Sequence, residues 1–225
     1  MRRTQFAAGE YYHIYNRGVD KRKVFTTLAE YRRFLAYLYY INDAERIRLT
    51  DTLRHNLEAK PREAGWKPLV AIGAYCLMPN HFHLYVTPMA RGGVSKFMQR
   101  LQTAYTMYFN EKHRRVGALF QGTFKAEHVA RDQYAKYLFS YIHLNPAKIK
   151  NSHWKRFGAR DFKRVREFVR AYPYSSFGEY DTKEYSIVDP SQFPTYLQKR
   201  SDIDSHINEW LAASPLEAKP REVAA

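Results

Sequence analysis

Apolar positions along the chain change period several times, and each change marks an element. "EYYHIYNRGVDKRKVF" opens with a short aromatic and β-branched run that meets a turn signal at Asn16-Arg17-Gly18. It predicts a strand over about residues 10–16. In "TTLAEYRRFLAYLYYINDA", Leu28, Tyr31, Phe34, Leu35, Leu38 and Ile41 recur at helical spacing, with Thr26 or Thr27 placed to cap. Residues 44–67 are rich in charge, with Pro61 and Gly65, and read as an inserted, mobile excursion with room for a short helix. "PLVAIGAYCLM" predicts a buried strand, "PN" a tight reversal, and "HFHLYVTP" the returning partner strand. "GGVSKFMQRLQTAYTMYFNEKH" predicts a second helix with Ser95 as its cap, "GTFKAEHVA" a weak strand, and "RDQYAKYLFSYIHLN" a third helix. Pro146 stops that helix, because the residue before proline is pushed out of helical geometry.

The resulting order, β-α-β-β-α-β-α, is the ferredoxin-like βαββαβ pattern with an antiparallel sheet and one extra helix, an α+β fold. Residues 1–150 form this core. Residues 151–225 form a helical extension, carrying "RDFKRVREFVRAYPYSSF", a further helical stretch near 192–212, and a polar tail expected to be disordered from about Pro215. The length of 225 residues fits one core with appendages better than two full domains.

Charge narrows the partner. Lys and Arg number 37 against 22 acidic residues, a net charge of +15, which points to a polyanion and first to nucleic acid. The single cysteine, Cys76, excludes an internal disulfide and cysteine-based zinc sites, and its setting reads as a buried strand position. "MRRTQFAAGEYYH" lacks an apolar signal-peptide core, and no run approaches the roughly 20 apolar residues of a membrane span. A soluble, cytoplasmic protein without membrane contact is expected.

Candidate chemistry lies in "MPNHFHLYV". Strand alternation puts Phe82, Leu84 and Val86 on one face and His81, His83 and Tyr85 on the other. The two histidine Cα atoms are then roughly 6.5–7 Å apart, so both rings reach one ion or one phosphate. On the third helix Tyr141 and Asn145 are four residues apart and share a face. If that helix packs beside the histidines, two imidazoles and one amide oxygen meet next to a phenol. Such a nitrogen and oxygen set with open positions suits Mg²⁺ or Mn²⁺, imidazole tilting the preference toward Mn²⁺ or zinc.

These residues carry a resemblance. "MPNHFHLYV" followed about 60 residues later by "YIHLNP" resembles the single-tyrosine HUH transposases of the IS200-like group, the REP-associated tyrosine transposases above all. "YYHIYNRGVDKRKVF", "GALFQGTFKAEHV" and "YPYSSF" resemble the family too, over residues 10 to about 180. The long 44–67 excursion and the residues beyond about 185 depart from it. The resemblance implies that Tyr141 attacks a single-stranded DNA phosphodiester, leaving a 5′-phosphotyrosine and a free 3′-OH. It implies a divalent metal, Mg²⁺ or Mn²⁺, held by His81, His83 and Asn145. Single-stranded or hairpin DNA is the implied partner of a monomer or homodimer.

Arg17, Lys21 and Arg22, with Lys23, follow the first strand, and Lys112, Arg114, Arg115 and Lys125 surround a glycine-bearing loop. Both groups are candidates for DNA phosphate contacts. Tyr134 and Tyr137 on the same helix compete with Tyr141 as nucleophile, and His128 or His143 as general base. Two other readings fit the pattern less well: a hairpin DNA or RNA-binding module that has lost its chemistry, and an unrelated metalloenzyme using the His pair.

Overall fold

The computed structural model describes residues 4–45, 66–150, 162–198 and 200–212. The 44–67 excursion lies outside them apart from its ends, and so does the tail beyond 212.

Four strands form one antiparallel sheet: β1 (Tyr12–Arg17), β2 (Val70–Met78), β3 (His81–Pro88) and β4 (Lys125–His128). Their order is β2-β3-β1-β4. Three helices complete the expected pattern: α1 (Leu28–Tyr40), α2 (Gly93–Lys112) and α3 (Asp132–Leu144). Each split β-α-β unit places one strand between its own two, which is the ferredoxin-like arrangement that the hydrophobic periods predict. Strand β1 runs on to Arg17, into the expected turn signal, because β3 offers a partner that far: Arg17 pairs with His81. No helix of the described residues is long and apolar enough to cross a membrane.

Alternation along the strands sorts side chains between two covered faces. On one, Phe82, Leu84 and Ile14 are fully buried. Phe82 meets Phe34 of α1 at 5.2 Å between centroids and Phe120 at 5.7 Å. Helix α3 lies on the other face, its Tyr141 ring against His83. Because both faces are covered, the whole of β2 is buried, as is β3 beyond His81.

Helix starts follow local chemistry, with one departure. Thr27 is the N-cap of α1, and buried Glu30 turns back to accept the backbone N–H groups of Thr26 and Thr27 at 2.5 and 3.1 Å. Ser95 does not cap α2. The helix begins two residues earlier, at Gly93, after Gly92 in the left-handed region at φ 68°. A Cβ on Gly93 would stand 2.0 Å from the Leu69 carbonyl oxygen, so only glycine permits this entry. Ser95 is left exposed in the first turn.

The C-terminal residues are built into the sheet. After α4 (Ala147–Lys150) and α5 (Phe162–Arg170), residues 172–189 run along the outer edge of β2. The Leu77 N–H donates to the Tyr174 carbonyl at 2.9 Å, the Ser176 N–H to Tyr75 at 3.0 Å and the Asp189 N–H to Ile72 at 2.8 Å. These bonds occupy an edge that would otherwise be open for pairing with another chain. Helix α6 (Phe177–Thr182) lies within this stretch, between the bonds of Ser176 and Asp189, and α7 (Arg200–Ala212) packs on α3. Phe193 lies flat against Gly73, where a Cβ would come within 2.7 Å of its ring, at the irregularity in β2 between Ile72 and Ala74.

Candidate active site

Sheet register assembles the site. On the face under α3, β3 contributes His81 and His83. Directly across on β1 are Arg17 and Tyr15, followed by His13 opposite Tyr85. On β4, Lys125 stands opposite Tyr15 and Glu127 opposite His13. Cross-strand and diagonal neighbours on one face lie within side-chain reach. His13 and His83 are such a diagonal pair, with Nε2 of the first 2.9 Å from Nδ1 of the second. The His81 and His83 rings stand 5.0 Å apart and nearly perpendicular. Asn80, in the turn before β3, accepts from His81 Nδ1 at 2.6 Å.

Helix α3 closes the site from above. Tyr134, Tyr137 and Tyr141 stack in a ladder at 6.3 and 6.1 Å. Of these, Tyr141 has its ring against the imidazoles, edge-on at 5.4 Å from His83 and 6.5 Å from His13. Tyr134 instead donates to Glu127 at 3.0 Å. Asn145 caps the helix C-terminus, one turn past Tyr141. It is 1% exposed, and neither amide atom has a hydrogen-bond partner among the described residues. Pro146 ends α3, and α4 follows at once, which brings Lys148 back over the site. Its Nζ is 3.4 Å from the Tyr141 hydroxyl and 4.8 Å from the centre of the ring.

Burial sets the protonation of the imidazoles. His81 is held down to about 4 by burial and by the cations Lys148 and Arg17. His83 lies well below the usual range, through burial and then its neighbours His13, His81 and Lys148. Both are therefore neutral near pH 7 and keep a lone pair. Since His81 Nδ1 is taken by Asn80 and His83 Nδ1 by His13, the free nitrogen on each ring is Nε2. His83 Nε2 is buried without a hydrogen-bond partner among the described residues, as is the Asn145 amide. Orphaned buried polar atoms are costly, and His83 Nε2 lies on β3 while Asn145 ends the helix that packs over that strand. Two imidazole nitrogens and an amide oxygen fit a divalent ion with open positions. No three His, Cys, Asp or Glu side chains among the described residues gather into a metal-binding group. Asn145 could supply an amide oxygen as a further ligand.

The basic candidates fall into different settings. Arg17 ends β1 opposite His81, its buried Nε without a hydrogen-bond partner among the described residues. Lys21 is exposed, and Arg22 donates to the Val19 carbonyl at 3.1 Å. Arg114 is exposed at φ 50°, and Arg115 donates to Asn110 at 2.7 Å. Lys125 reaches over the Tyr15 ring. Lys112 is joined to Glu30 at 2.7 Å, away from the histidine face.

His143 uses both ring nitrogens in the fold, on the Phe139 carbonyl at 2.9 Å and the Ser176 hydroxyl at 2.8 Å. His128 pairs with Glu10. His13, Glu127 and Lys148 join the site without having been singled out in the sequence. Alternation in "YYHIYNR", which puts His13, Tyr15 and Arg17 on one face, carried the first signal. Lys148 had none, since its position depends on how the chain turns at Pro146.

Comparison with known proteins gives two likenesses. Residues 38–145 match the family model described as "Transposase IS200 like", a segment that contains His81, His83, Tyr141 and Asn145. A solved structure of a REP-associated tyrosine transposase bound to a REP hairpin superposes with a TM-score of 0.50 at 15% identity, covering 83% of this chain and 88% of that one. At that identity the likeness bears on the fold. Among curated proteins none matches.

Proposed function

We propose that this chain, whose residues 38–145 match the IS200-like transposase family model, is a metal-dependent single-stranded DNA endonuclease and strand transferase of that family, acting at hairpin or repeat sequences in the cytoplasm. The observation that carries the reading is the Tyr141 ring standing 5.4 Å from His83, whose buried Nε2 has no hydrogen-bond partner among the described residues. That the similar solved structure holds a REP hairpin supports DNA of this kind as the substrate.

In this reading the Tyr141 oxygen attacks the phosphorus of a bound phosphodiester. The new bond joins Tyr141 to the 5′ phosphate. The bond to the 3′ oxygen breaks, that oxygen takes a proton, and the phenol proton passes to solvent. The reverse step, attack by a 3′-OH on the phosphotyrosine, rejoins strands without outside energy. His81, His83 and Asn145 would hold Mg²⁺ or Mn²⁺, which supplies Lewis-acid polarisation of the phosphoryl oxygens and stabilises the leaving 3′ oxygen. Lys148 and Arg17 flank the histidines with positive charge, in place to receive a phosphate. Lys148 also steers the phenol through its contact with the ring. Arg17, Lys21, Arg22, Arg114, Arg115 and Lys125 supply phosphate contacts that position the strand, with Lys112 free to join only by leaving Glu30. The core, residues 1–150, carries the chemistry, and the extension supports α3 from behind.

The test is incubation with labelled single-stranded hairpins and Mn²⁺, followed by denaturing electrophoresis. A covalent adduct that maps to Tyr141 is expected. Hairpin binding with no adduct and no cleavage would replace the enzyme by a binding module on the same fold.

A further inference from the structure

Glu127, His13 and His83 lie in a line across three strands, β4, β1 and β3, under α3. We infer that His13 is a positioning residue: with Glu127 behind it, it fixes His83 in the tautomer that carries its proton on Nδ1, leaving Nε2 as a lone pair directed at a metal ion. This rests on the reading of His83 as a metal ligand.

The argument is one of hydrogen accounting. A neutral imidazole has one donor and one acceptor nitrogen. The contact of 2.9 Å between His13 Nε2 and His83 Nδ1 needs one proton, and either ring can supply it. Suppose His13 donates. Its Nδ1 is then a lone pair 3.9 Å from a Glu127 carboxylate oxygen, two centres of negative charge facing each other. His83 Nε2 then carries a proton, and that atom is buried with no acceptor among the described residues. Suppose instead that His83 donates. The His13 proton sits on Nδ1 and faces the carboxylate, while His83 Nε2 is a bare lone pair at the place where a cation would bind. The first arrangement sets a lone pair against a carboxylate and buries an N–H with no acceptor among the described residues. In the second, the His13 Nδ1–H is too far from Glu127 for a hydrogen bond at 3.9 Å but is attracted by its charge. The unpartnered His83 Nε2 is then a lone pair that a cation can satisfy, so the second is favoured.

Glu127 is itself held in place to do this. Tyr15 donates to one carboxylate oxygen at 2.8 Å and Tyr134 to the other at 3.0 Å. The carboxyl stays ionised, held down to about 2 by His13 first, against the opposing effect of burial, and then by Tyr15 and Tyr134. His13 is 6% exposed, so water does not compete for its nitrogens. The pattern of carboxylate, histidine and metal-binding histidine is a general means of fixing ligand orientation and raising ligand basicity. Here a second imidazole is interposed between the carboxylate and the ligand.

The experiment uses the full-length protein free of metal and of DNA. Long-range ¹H–¹⁵N correlation spectra of the histidine rings report which nitrogen carries each proton, and Mn²⁺ titration followed by electron paramagnetic resonance reports affinity. The parent should show His83 protonated on Nδ1. His13→Phe keeps a ring but removes the acceptor; His83 should shift toward the Nε2-protonated form and Mn²⁺ affinity should fall roughly 10–100-fold. His13→Gln offers a carbonyl oxygen to the same Nδ1–H and should recover most of both readouts. The inference is overturned if the parent carries the His83 proton on Nε2, a result that needs no variant to fold. It is overturned equally if folded His13→Phe leaves both the tautomer and the affinity unchanged. A parent that binds no Mn²⁺ refutes the metal assignment of the site, and the metal-free spectrum still decides whether His13 sets the His83 proton.

Discussion

Glu30 and Glu127 make an instructive pair. Each is an ionised carboxylate facing a histidine, and each is held down to about 2. Glu30 is fully buried, and its partners are Lys112 at 2.7 Å, His113 at 2.8 Å and the backbone at the start of α1. Its two oxygens join the first turn of α1 to the last turn of α2. Glu127 is partly exposed on a strand at the sheet edge, and its partners are two tyrosine hydroxyls and His13. No helix end depends on it. The same side chain therefore holds two helices together in one place and orients an imidazole in the other. The difference lies in what its partners touch next: the partners of Glu30 lead into the fold, and those of Glu127 lead to Tyr141 and His83.

The largest effect expected from this contrast is at Tyr141. Tyr141→Phe removes the oxygen and keeps the ring, so strand cleavage and the covalent adduct should fall by at least about 10³-fold. The melting temperature and hairpin affinity should stay close to those of the parent. Tyr134→Phe and Tyr137→Phe make the same deletion on the same helix, and both should still form the adduct. An adduct that survives in Tyr141→Phe, or that maps to Tyr137, would move the chemistry to another rung of the tyrosine ladder.

Matched substitutions at the two glutamates come next. Glu30→Gln leaves Lys112 and His113 without their anion and weakens the cap, for a loss of about 3 kcal/mol. In a protein of this size that lowers the melting temperature by roughly 6–12 °C. Below the transition, cleavage should be unchanged. Glu127→Gln should cost about 1 kcal/mol or less, because its side chain is more exposed and an amide still accepts from a tyrosine. Its effect should appear in Mn²⁺ affinity. Calorimetric scans and Mn²⁺ titration of both variants check the pair; the reverse assignment of the two losses would dissolve the distinction.

Acid sharpens the same contrast. Burial tends to raise Glu30, but Lys112, the Thr26 backbone and His113 outweigh it and bring the carboxyl from 4.5 to about 2. A carboxyl lowered on folding contributes its full stability above the unfolded value, and that contribution is lost as pH falls through the folded one. About 3 kcal/mol should therefore be present above pH 4.5 and disappear between pH 4.5 and 2. Denaturant unfolding of the parent and of Glu30→Gln should converge over that window. A stability gap that stays constant down to pH 2 would show that Glu30 does not titrate with folding.

Legibility in the sequence followed the range of each interaction. Helical periods placed α1, α2 and α3, and alternation placed His81 and His83 on the face opposite Phe82, because both signals are local. Spacing along one helix put Tyr141 one turn from Asn145 for the same reason. Ser95 misled because capping preference counts for less than the close approach of Gly93 to Leu69, which comes from a distant part of the chain. Glu127 and His13 are separated by more than 100 residues and become neighbours only through strand register. Lys112 looked like one more basic residue beside a loop, and nothing near it in sequence pointed to Glu30, which lies on another helix.

That last pairing gives the smallest expected effect and the finest test of the contrast. A lysine that neutralises a phosphate releases counterions, and each such contact on a single strand adds about −0.7 to the slope of log affinity against log salt. The parent, with a net charge of +15, should show a steep slope and bind single strands or imperfect hairpins in preference to plain duplex. Lys125 is exposed on the strand next to the site, where its ammonium leans over Tyr15 with no carboxylate at hand among the described residues. Lys125→Gln should make the slope shallower by about 0.7. Lys112 already has an anion, since Glu30 accepts from it at 2.7 Å and Thr27 from the same ammonium at 2.9 Å. To meet a phosphate it would have to abandon a buried carboxylate, and the exchange would release no net charge. Lys112→Gln should therefore lower stability and leave the slope within error of the parent. Equal changes in slope for the two variants would mean that Lys112 leaves Glu30 when DNA arrives, and the carboxylate assigned to the fold would then also take part in binding.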